Sequence, residues 1–147
     1  SIYRQREILR ENFLPVLLGC LAGCCASVGS TLALCRLFGL DAALTASLLP
    51  KSVTTPIAVE LSRQGGGVAA VTIVVVLFTG IAGAALAPAM LRLLRITDPV
   101  AAGVAIGTAS HGIGTARALQ LGKVQGAMSG VAIGVSGIIT VLLLTFW

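Results

Sequence analysis

The organisation of this chain follows from the run Gly107-Thr-Ala-Ser-His-Gly-Ile-Gly-Thr-Ala-Arg117, which interrupts an otherwise apolar segment. It contains the only histidine, His111, together with hydroxyl groups and with glycines that weaken a helix. Polar groups and irregular backbone are costly at membrane depth unless protein or a water-filled cavity surrounds them. The run therefore predicts one half of a polar site inside a membrane protein.

A second run of the same kind, Leu49-Pro-Lys-Ser-Val-Thr-Thr-Pro-Ile57, lies in the first half of the chain. Each of its prolines removes a backbone donor and disfavours helix in the preceding residue, so a continuous helix is not expected there. We expect an unwound centre in both surrounding segments, about 41–62 and 98–121. Asp98, which precedes Pro99, is predicted to cap the helix that begins the second segment.

The composition places the chain in a membrane. Hydrophobic residues make up 56% and charged residues 10% of the chain, and the mean hydropathy is +1.02, whereas an average soluble domain has about 25% charged residues. Three apolar runs, about 13–35, 68–91 and 124–147, have the roughly 20 residues that a spanning helix needs. The predicted fold class is an all-α integral membrane protein, with three transmembrane helices and two broken or re-entrant helical segments in a single domain, 1–147.

Several classes of function are not expected. The net charge of +5 does not indicate nucleic acid, because the ten basic residues are spread along the chain. There is no Ser-His-Asp order, Walker loop or paired set of carboxylates, so we expect no enzyme and no catalytic residues. We also expect no cofactor and no metal, and we interpret the four cysteines as helix-packing residues without nearby partners for a metal: Cys20, Cys24, Cys25 and Cys35.

The two broken segments indicate a possible internal repeat, because a shift of 60 residues places Lys51 over His111 and aligns several of their neighbours. If the segments are re-entrant, the two copies are inverted across the membrane, and if both cross fully, the copies are parallel. The positive-inside rule favours the re-entrant arrangement. In that arrangement the charged lead-in at residues 1–12, with Arg4 and Arg6, lies on the same side of the membrane as four later basic residues: Arg92, Arg95, Arg117 and Lys123. A broken helix that crosses fully remains the alternative.

The first segment offers one cation and three hydroxyl groups within five positions: Lys51, Ser52, Thr54 and Thr55. A helix that begins near Pro56 would direct its positive end towards the same place. These groups predict a site for a small anion. The alternative is structural, with Lys51 extending to the interface and the threonines bonding to the preceding turn.

The second segment adds the other predicted binding residues: Ser110, His111, Gly112, Gly114, Thr115 and Arg117. The glycines permit close approach of the backbone to a ligand. His111 would bind a carboxylate when protonated, or relay a proton, because an imidazole titrates close to physiological pH. A hydrogen-bonded core histidine is the structural alternative. Arg117 is either a second anion ligand or an interfacial anchor.

Both runs, together with Arg-Ile-Thr-Asp-Pro at residues 95–99, closely resemble motifs of the LrgB/CidB family. This family includes bacterial antiholin-like and holin-like membrane proteins and the membrane part of the plant plastid glycolate/glycerate translocator. Its members have additional N-terminal spanning helices. The resemblance therefore implies that the chain is the C-terminal part of a longer LrgB-like protein in the bacterial plasma (inner) membrane.

The resemblance implies one of two functions. The first is a transporter or channel for small carboxylates of the glycolate/glycerate type, linked to control of murein hydrolase activity and cell lysis. The second is an antiholin-like or holin-like lysis regulator that acts through an LrgA/CidA-type membrane partner without transport. The residue chemistry favours the first, because cations and hydroxyl groups in broken segments describe an anion site.

The expected partners are membrane lipid, a small carboxylate anion and an LrgA/CidA-type membrane protein, but no nucleic acid. A homo-oligomer is also expected, because small residues spaced four apart let helices pack closely in lipid. Two such series occur: Gly19, Gly23 and Ser27 in the first apolar run, and Gly126, Gly130 and Gly134 in the third.

Overall fold

The computed structural model describes residues 7, 8 and 10–146. Arg4 and Arg6 of the predicted lead-in and Trp147 at the predicted end of the third span lie outside the described residues. Between residues 13 and 145 the chain is all-helical, with six helices: α1 Phe13–Leu37, α2 Ala42–Leu48, α3 Thr55–Gln64, α4 Ala69–Leu93, α5 Pro99–Leu121 and α6 Lys123–Thr145. Helices α1, α4 and α6 are long and apolar enough to cross a membrane, which confirms the three predicted spans to within two residues at each described end.

The first broken segment is a helical hairpin, which we call the first hairpin (Ala42–Gln64). Its centre, 49–54, is not helical, and α3 begins with Pro56 in its first turn, as the prolines predict. The end of α3 returns to the end of α2: a Cβ added at Gly65 would lie 3.2 Å from the Cβ of Ala46. The segment therefore leaves the bundle at the end where it entered.

The second broken segment also has an interrupted centre. Helix α5 loses helical geometry at Ser110 (φ −135°, ψ 15°) and His111 (φ 40°, ψ −138°). A Cβ added at Gly114 would lie within about 3 Å of both Ser110 and Ile106, so the residues after the break fold back against those before it. We call α5 the second hairpin, with a first arm (99–109) and a second arm (112–121).

The first arm of the second hairpin runs parallel to α6. A Cβ at Gly103 would contact Met128, and a Cβ at Gly107 would contact Ala132 four residues later. Close approach of this kind requires glycine at both positions, because a side chain there would overlap α6.

The second arm runs back along the same half of α6. The Thr115 hydroxyl lies 2.7 Å from the Ser129 hydroxyl, while Leu119, further along the arm, packs at Gly126, earlier in α6. Both arms therefore lie beside the first half of α6, and the segment is re-entrant rather than fully crossing.

Helices α1 and α6 run in the same direction. Cys20 packs with Ala132 in one apolar cluster, and the Cys24 thiol donates to the backbone oxygen of Ser136, one turn further along α6. Cys20, Cys24 and Cys35 are buried, as packing residues should be, whereas Cys25 faces outward.

Helix α4 runs in the opposite direction. Near its start the Thr72 hydroxyl donates to the Ser62 hydroxyl of the first hairpin at 2.7 Å, and near its end Ala87 packs with Ile106 of the second hairpin. The bundle therefore has an Arg10 end, where α1 and α6 begin and α4 ends, and an Arg36 end, where α1 ends and α4 begins. The first hairpin enters from the Arg36 end and the second from the Arg10 end.

This arrangement is an inverted repeat of one long helix followed by one hairpin. The register differs from the predicted 60 residues: Phe13 corresponds to Ala69 and Ala42 to Pro99, which are 56 and 57 residues apart. The predicted register matched Lys51 to His111, but the two hairpins reverse differently, one through a six-residue loop and the other through a two-residue break.

The two series of small residues have different surroundings. Gly19 and Gly23 allow α1 to approach Val104 and Thr108 of the second hairpin, which confirms the predicted close packing. In α6 only the first glycine of the series has a neighbour within the described chain, while Gly130 and Gly134 have no atom within 4 Å of an added Cβ. The outer surface of the bundle is lined by exposed apolar side chains, as expected for contact with lipid.

Candidate functional site

A cavity of about 560 Å³ lies between α1, the first hairpin and the first arm of the second hairpin. We call it the central cavity. Small residues of α1 and α5 form much of its wall, and five polar side chains line it: Ser27, Ser30, Lys51, Ser52 and Thr108. Ser27 lies near the middle of α1, so the polar groups are gathered about halfway along the bundle.

Lys51 is held in the central cavity by one hydroxyl group. Its Nζ donates to Ser27 Oγ at 3.2 Å, and Ser27 Oγ lies 2.7 Å from Ser52 Oγ. The lysine is half-buried, and the prolines on either side of this loop keep it out of a helix. Because this partner is a hydroxyl rather than a carboxylate, the contact leaves the charge of the ammonium group uncompensated.

Thr108 is the polar contribution of the second hairpin to the central cavity. Its hydroxyl donates to Cys20 Sγ at 3.6 Å, a weak contact that leaves the oxygen lone pairs available. The approach depends on Gly23, since a Cβ there would lie 2.7 Å from the Thr108 methyl group.

His111 faces α4 instead of the central cavity. Its Nε2 lies 3.0 Å from the backbone oxygen of Val76, and because a carbonyl can only accept, Nε2 carries the proton. Gly80 provides the space for the ring, which is 5% exposed. Val53 of the first hairpin packs on Val76 as well, so the inner ends of both hairpins meet at this residue. The two hairpins do come together, but the imidazole and Lys51 do not line one chamber.

Ser110 lines a different space, an apolar groove of about 360 Å³ between the first arm and the second half of α4. Ala105 and Ala109 line both this groove and the central cavity, so the first arm separates the two. Ser110 itself is 3% exposed and packs closely against Gly83 of α4.

The remaining predicted site residues of the first hairpin lie where α3 begins. Thr54 is the N-cap residue of α3 without a capping bond from its side chain, and Thr55 is its first residue. Both are half-buried, and neither is among the described residues that line the central cavity.

The remaining predicted site residues of the second hairpin stabilise the hairpin itself or are exposed. Thr115 donates to the backbone oxygen of His111 at 3.0 Å, and Gly114 allows the two arms to touch. Gly112 is exposed, and Arg117 donates to Gln120 at 2.6 Å. Within the described part of the chain, none of these four lines the central cavity.

A second cavity, of about 280 Å³, lies between the central cavity and the Arg10 end, where Asn12 and Asp98 border it. It shares Gly19, Val104 and Ala105 with the central cavity, so the two are neighbours along α1 and the first arm.

The whole chain, residues 1–147, matches the sequence profile of the LrgB-like family. The chain belongs to this family. It is 40% identical over 131 residues to the Bacillus subtilis (strain 168) protein YxaC, described as uncharacterized, which covers 89% of this chain and 57% of that protein. It is 33% identical over 143 residues to the antiholin-like protein LrgB of the same strain, which covers 97% of this chain and 62% of that protein. No solved structure matches.

The chain spans about three fifths of the length of these LrgB-like relatives. Membership of a bacterial family and the three helices able to span a membrane identify it as an integral membrane protein of the bacterial plasma membrane.

Three polar residues of the central cavity were missed by the sequence reasoning: Ser27, Ser30 and Thr108. A signal was present, because hydroxyl side chains in the middle of an apolar span need a polar partner. The four-residue spacing of Gly19, Gly23 and Ser27 was interpreted as packing alone, although its third member bonds to the lysine.

Proposed function

We propose that this LrgB-family chain binds a small carboxylate anion in the central cavity and moves it across the membrane, as a transporter or channel. The expected substrates are of the glycolate/glycerate type. Through this flux the protein takes part in the control of murein hydrolase activity and cell lysis. The observation that carries the proposal is the Lys51 ammonium group, held by Ser27 among hydroxyl groups midway along the bundle.

The electrostatics of the cavity support an anionic ligand. A cation at membrane depth is expensive and is expected to pair with an opposite charge or to line a pathway. In this structure Lys51 contacts a neutral hydroxyl, so a bound carboxylate would supply the missing charge through a charge-assisted hydrogen bond. The hydroxyl groups of Ser52 and Thr108 line the same cavity and would bond to the second carboxylate oxygen or to a substrate hydroxyl.

The architecture supports transport. Substrate sites in many transporters lie near the bilayer midplane, where discontinuous helices of two inverted repeats meet. The two hairpins enter from opposite ends and meet at Val76, and a second cavity lies between the central cavity and the Arg10 end. A cavity of about 560 Å³ lies within the roughly 300–1,000 Å³ of small-molecule sites.

The predicted ligands outside the central cavity belong to a second conformation in this proposal. Thr108 faces α1 at Gly23 and Ser110 faces α4 at Gly83, so about half a turn of the inner end of the second hairpin would exchange the side chains that face Lys51. Ser110 and His111 would then reach the anion after the His111 ring leaves Val76. Thr54, Thr55, Thr115 and Arg117 remain predicted ligands of that state.

The test is carboxylate flux through the full-length protein in liposomes. Wild-type protein is expected to move labelled glycolate, glycerate or lactate, and Lys51→Ala is expected to reduce the flux roughly tenfold or more, because a hydrogen bond to a charged group contributes about 1.5–3 kcal/mol. Ser27→Ala should produce a smaller loss. Arg63→Ala is the matched control, because it removes an exposed cation from the first hairpin outside the cavity. Equal flux through Lys51→Ala and wild-type protein would contradict the proposed site.

The second candidate function is lysis control through an LrgA/CidA-type membrane partner without transport. The observation that favours it is the open face of α6 at Gly130 and Gly134, which leaves room for another helix. The same face suits a second copy of the protein. If this function is the whole mechanism, wild-type protein will move no carboxylate, and Gly134→Leu will weaken crosslinking to the partner protein while Lys51→Ala will not.

A further inference from the structure

The apolar groove beside Ser110 has the length of one membrane leaflet. Apolar side chains of α4 and of the first arm line it, among them Leu86, Met90, Leu94 and Ile106. It reaches from Leu94, at the Arg10 end, to Gly83 near the middle of α4. Eleven helical residues correspond to about 16 Å at 1.5 Å per residue. One leaflet contributes about 15 Å to the hydrocarbon core, so the groove matches an acyl chain in length.

One arginine lies at the open end of this groove. Arg95 is exposed, and its two neighbours, Leu94 and Ile96, both line the groove. Arg92 lies on the opposite face of α4, where its Nε donates to the backbone oxygen of Pro88 at 3.2 Å. A cationic mouth on an apolar groove complements a ligand with an anionic head and an apolar tail.

Arg95 ends α4 in a backbone conformation that glycine adopts more readily than arginine. Ile96 N donates to Leu91 O at 2.9 Å, which is the bond of a Schellman motif, and Arg95 occupies the left-handed position of that motif with φ 54°. Glycine adopts this conformation without the steric cost that other L-residues carry.

Two other helices of the chain end in the same motif and have glycine at the equivalent position. At the end of α1 it is Gly39, with φ 66°, and at the end of α3 it is Gly66, with φ 78°. In the inverted repeat Gly39 and Arg95 are counterparts at opposite ends of the bundle. Of these three helix ends, the end of α4, where the groove opens, has arginine instead of glycine at this position.

The Arg10 end also carries most of the positive charge of the described residues. Arg36 and Arg63 lie at the other end. Five basic residues lie at the Arg10 end: Arg10, Arg92, Arg95, Arg117 and Lys123. By the positive-inside rule this end faces the cytoplasm. The cytoplasmic leaflet carries anionic lipid, to which clustered basic residues bind.

We propose that the groove binds one acyl chain of an anionic phospholipid of this leaflet, and that Arg95 binds its phosphate. The site is separate from the central cavity, and the proposal does not depend on carboxylate transport. The first arm of the second hairpin forms one wall of the lipid site.

The test compares phosphatidylglycerol and phosphatidylcholine binding to the full-length protein by native mass spectrometry, with lipid titrated into detergent micelles. Wild-type protein should prefer phosphatidylglycerol. Arg95→Gly should keep its fold, because glycine suits the left-handed position, and should lose roughly fivefold in that preference, the effect of one basic residue at a lipid surface.

Two further variants examine the position of the charge and the role of the groove separately. Arg63→Gln removes the same charge at the opposite end and should leave the preference unchanged. Met90→Trp should fill the groove and weaken the binding of both lipids. An unchanged preference in Arg95→Gly would overturn the proposal. It would also be overturned if glycerol phosphate, which has the head but no acyl chain, displaced phosphatidylglycerol at equal concentration, because the site would then be one for free anions.

Discussion

At the residue level, His111 combines an unfavourable backbone with a specific side-chain contact. Its φ of 40° and ψ of −138° lie in a region that favours glycine, and such a conformation costs an L-residue about 1–3 kcal/mol. The surrounding hairpin and the bond from Nε2 to Val76 O hold it in place.

This combination predicts an unusual order of stability for two variants. His111→Ala loses the hydrogen bond and keeps the backbone cost, whereas His111→Gly loses the bond and removes the cost. We therefore expect His111→Gly to be more stable than His111→Ala by about 1 kcal/mol, as measured by thermal unfolding in detergent.

The control lies in the same hairpin, at a position with ordinary helical geometry. Ala116 is exposed in the second arm, so Ala116→Gly should be destabilising by up to about 1 kcal/mol. A His111→Ala protein more stable than His111→Gly would show that the reversal at this residue carries no strain.

The residues of the central cavity illustrate what a sequence can predict at this level. Lys51 was identified because a lysine between prolines in an apolar segment has few structural roles. The direction of the His111 ring was not predictable, because it depends on two backbone angles at the reversal and on the space at Gly80. Thr108 was missed for a similar reason. The rotation of the first arm about its helix axis decides which of its side chains faces the lysine.

At the level of elements, both hairpins begin with an aspartate N-cap. Asp41 Oδ1 accepts from Leu44 N and Asp98 Oδ1 accepts from Ala101 N, each at 2.7 Å. The cap predicted at Asp98 is therefore confirmed, with Pro99 in the first turn. Each cap satisfies a backbone donor that would otherwise be left free where a hairpin enters the bundle.

Removal of the second cap should loosen the first arm of the second hairpin. Asp98→Ala is expected to destabilise the protein by about 1 kcal/mol, while Asp98→Asn keeps an acceptor and should have little effect. Amide hydrogen exchange near Ala101 would measure the change, with faster exchange expected in the alanine variant alone. Equal acceleration in both variants would indicate that the charge, rather than the acceptor, stabilises the arm.

Element boundaries were predictable to different degrees. The three spans follow from the length of apolar sequence, and the loop of the first hairpin follows from Pro50 and Pro56. The break in the second hairpin was predicted from its glycines but not located, because Gly107 serves packing on α6 while the reversal occurs at Ser110 and His111.

At the level of the whole molecule, the re-entrant hairpins fix which loops share a side. The loop after α3 lies at the Arg36 end and the loop after α4 at the Arg10 end. Fully crossing segments would place these two loops the other way round.

Cysteine labelling in cells distinguishes the two topologies. In a protein whose native cysteines are replaced by alanine, Gln64→Cys should react with an impermeant maleimide from outside, and Thr97→Cys should react only after the membrane is permeabilised. Both positions are exposed in the structure. The opposite pattern of labelling would require either fully crossing segments or the reverse orientation. Labelling at the end of the charged lead-in, with Arg10→Cys, separates those two outcomes.

The repeat shows where prediction from sequence reaches its limit for the whole chain. The distribution of basic residues favoured inverted copies, and the contacts of Thr115 and Leu119 with α6 agree. The register was wrong by three to four residues, because the alignment matched the chemistry of Lys51 and His111 rather than the helix starts. Similar side chains in the two hairpins therefore do not occupy equivalent positions.

The first arm of the second hairpin has the central cavity on one face and the apolar groove on the other, with Ala105 and Ala109 exposed to both. A single helix therefore lies between the two spaces, and its side chains at these positions are methyl groups. A sideways displacement of this helix would enlarge one of the two spaces and reduce the other. The volumes of the central cavity and of the apolar groove therefore depend on each other.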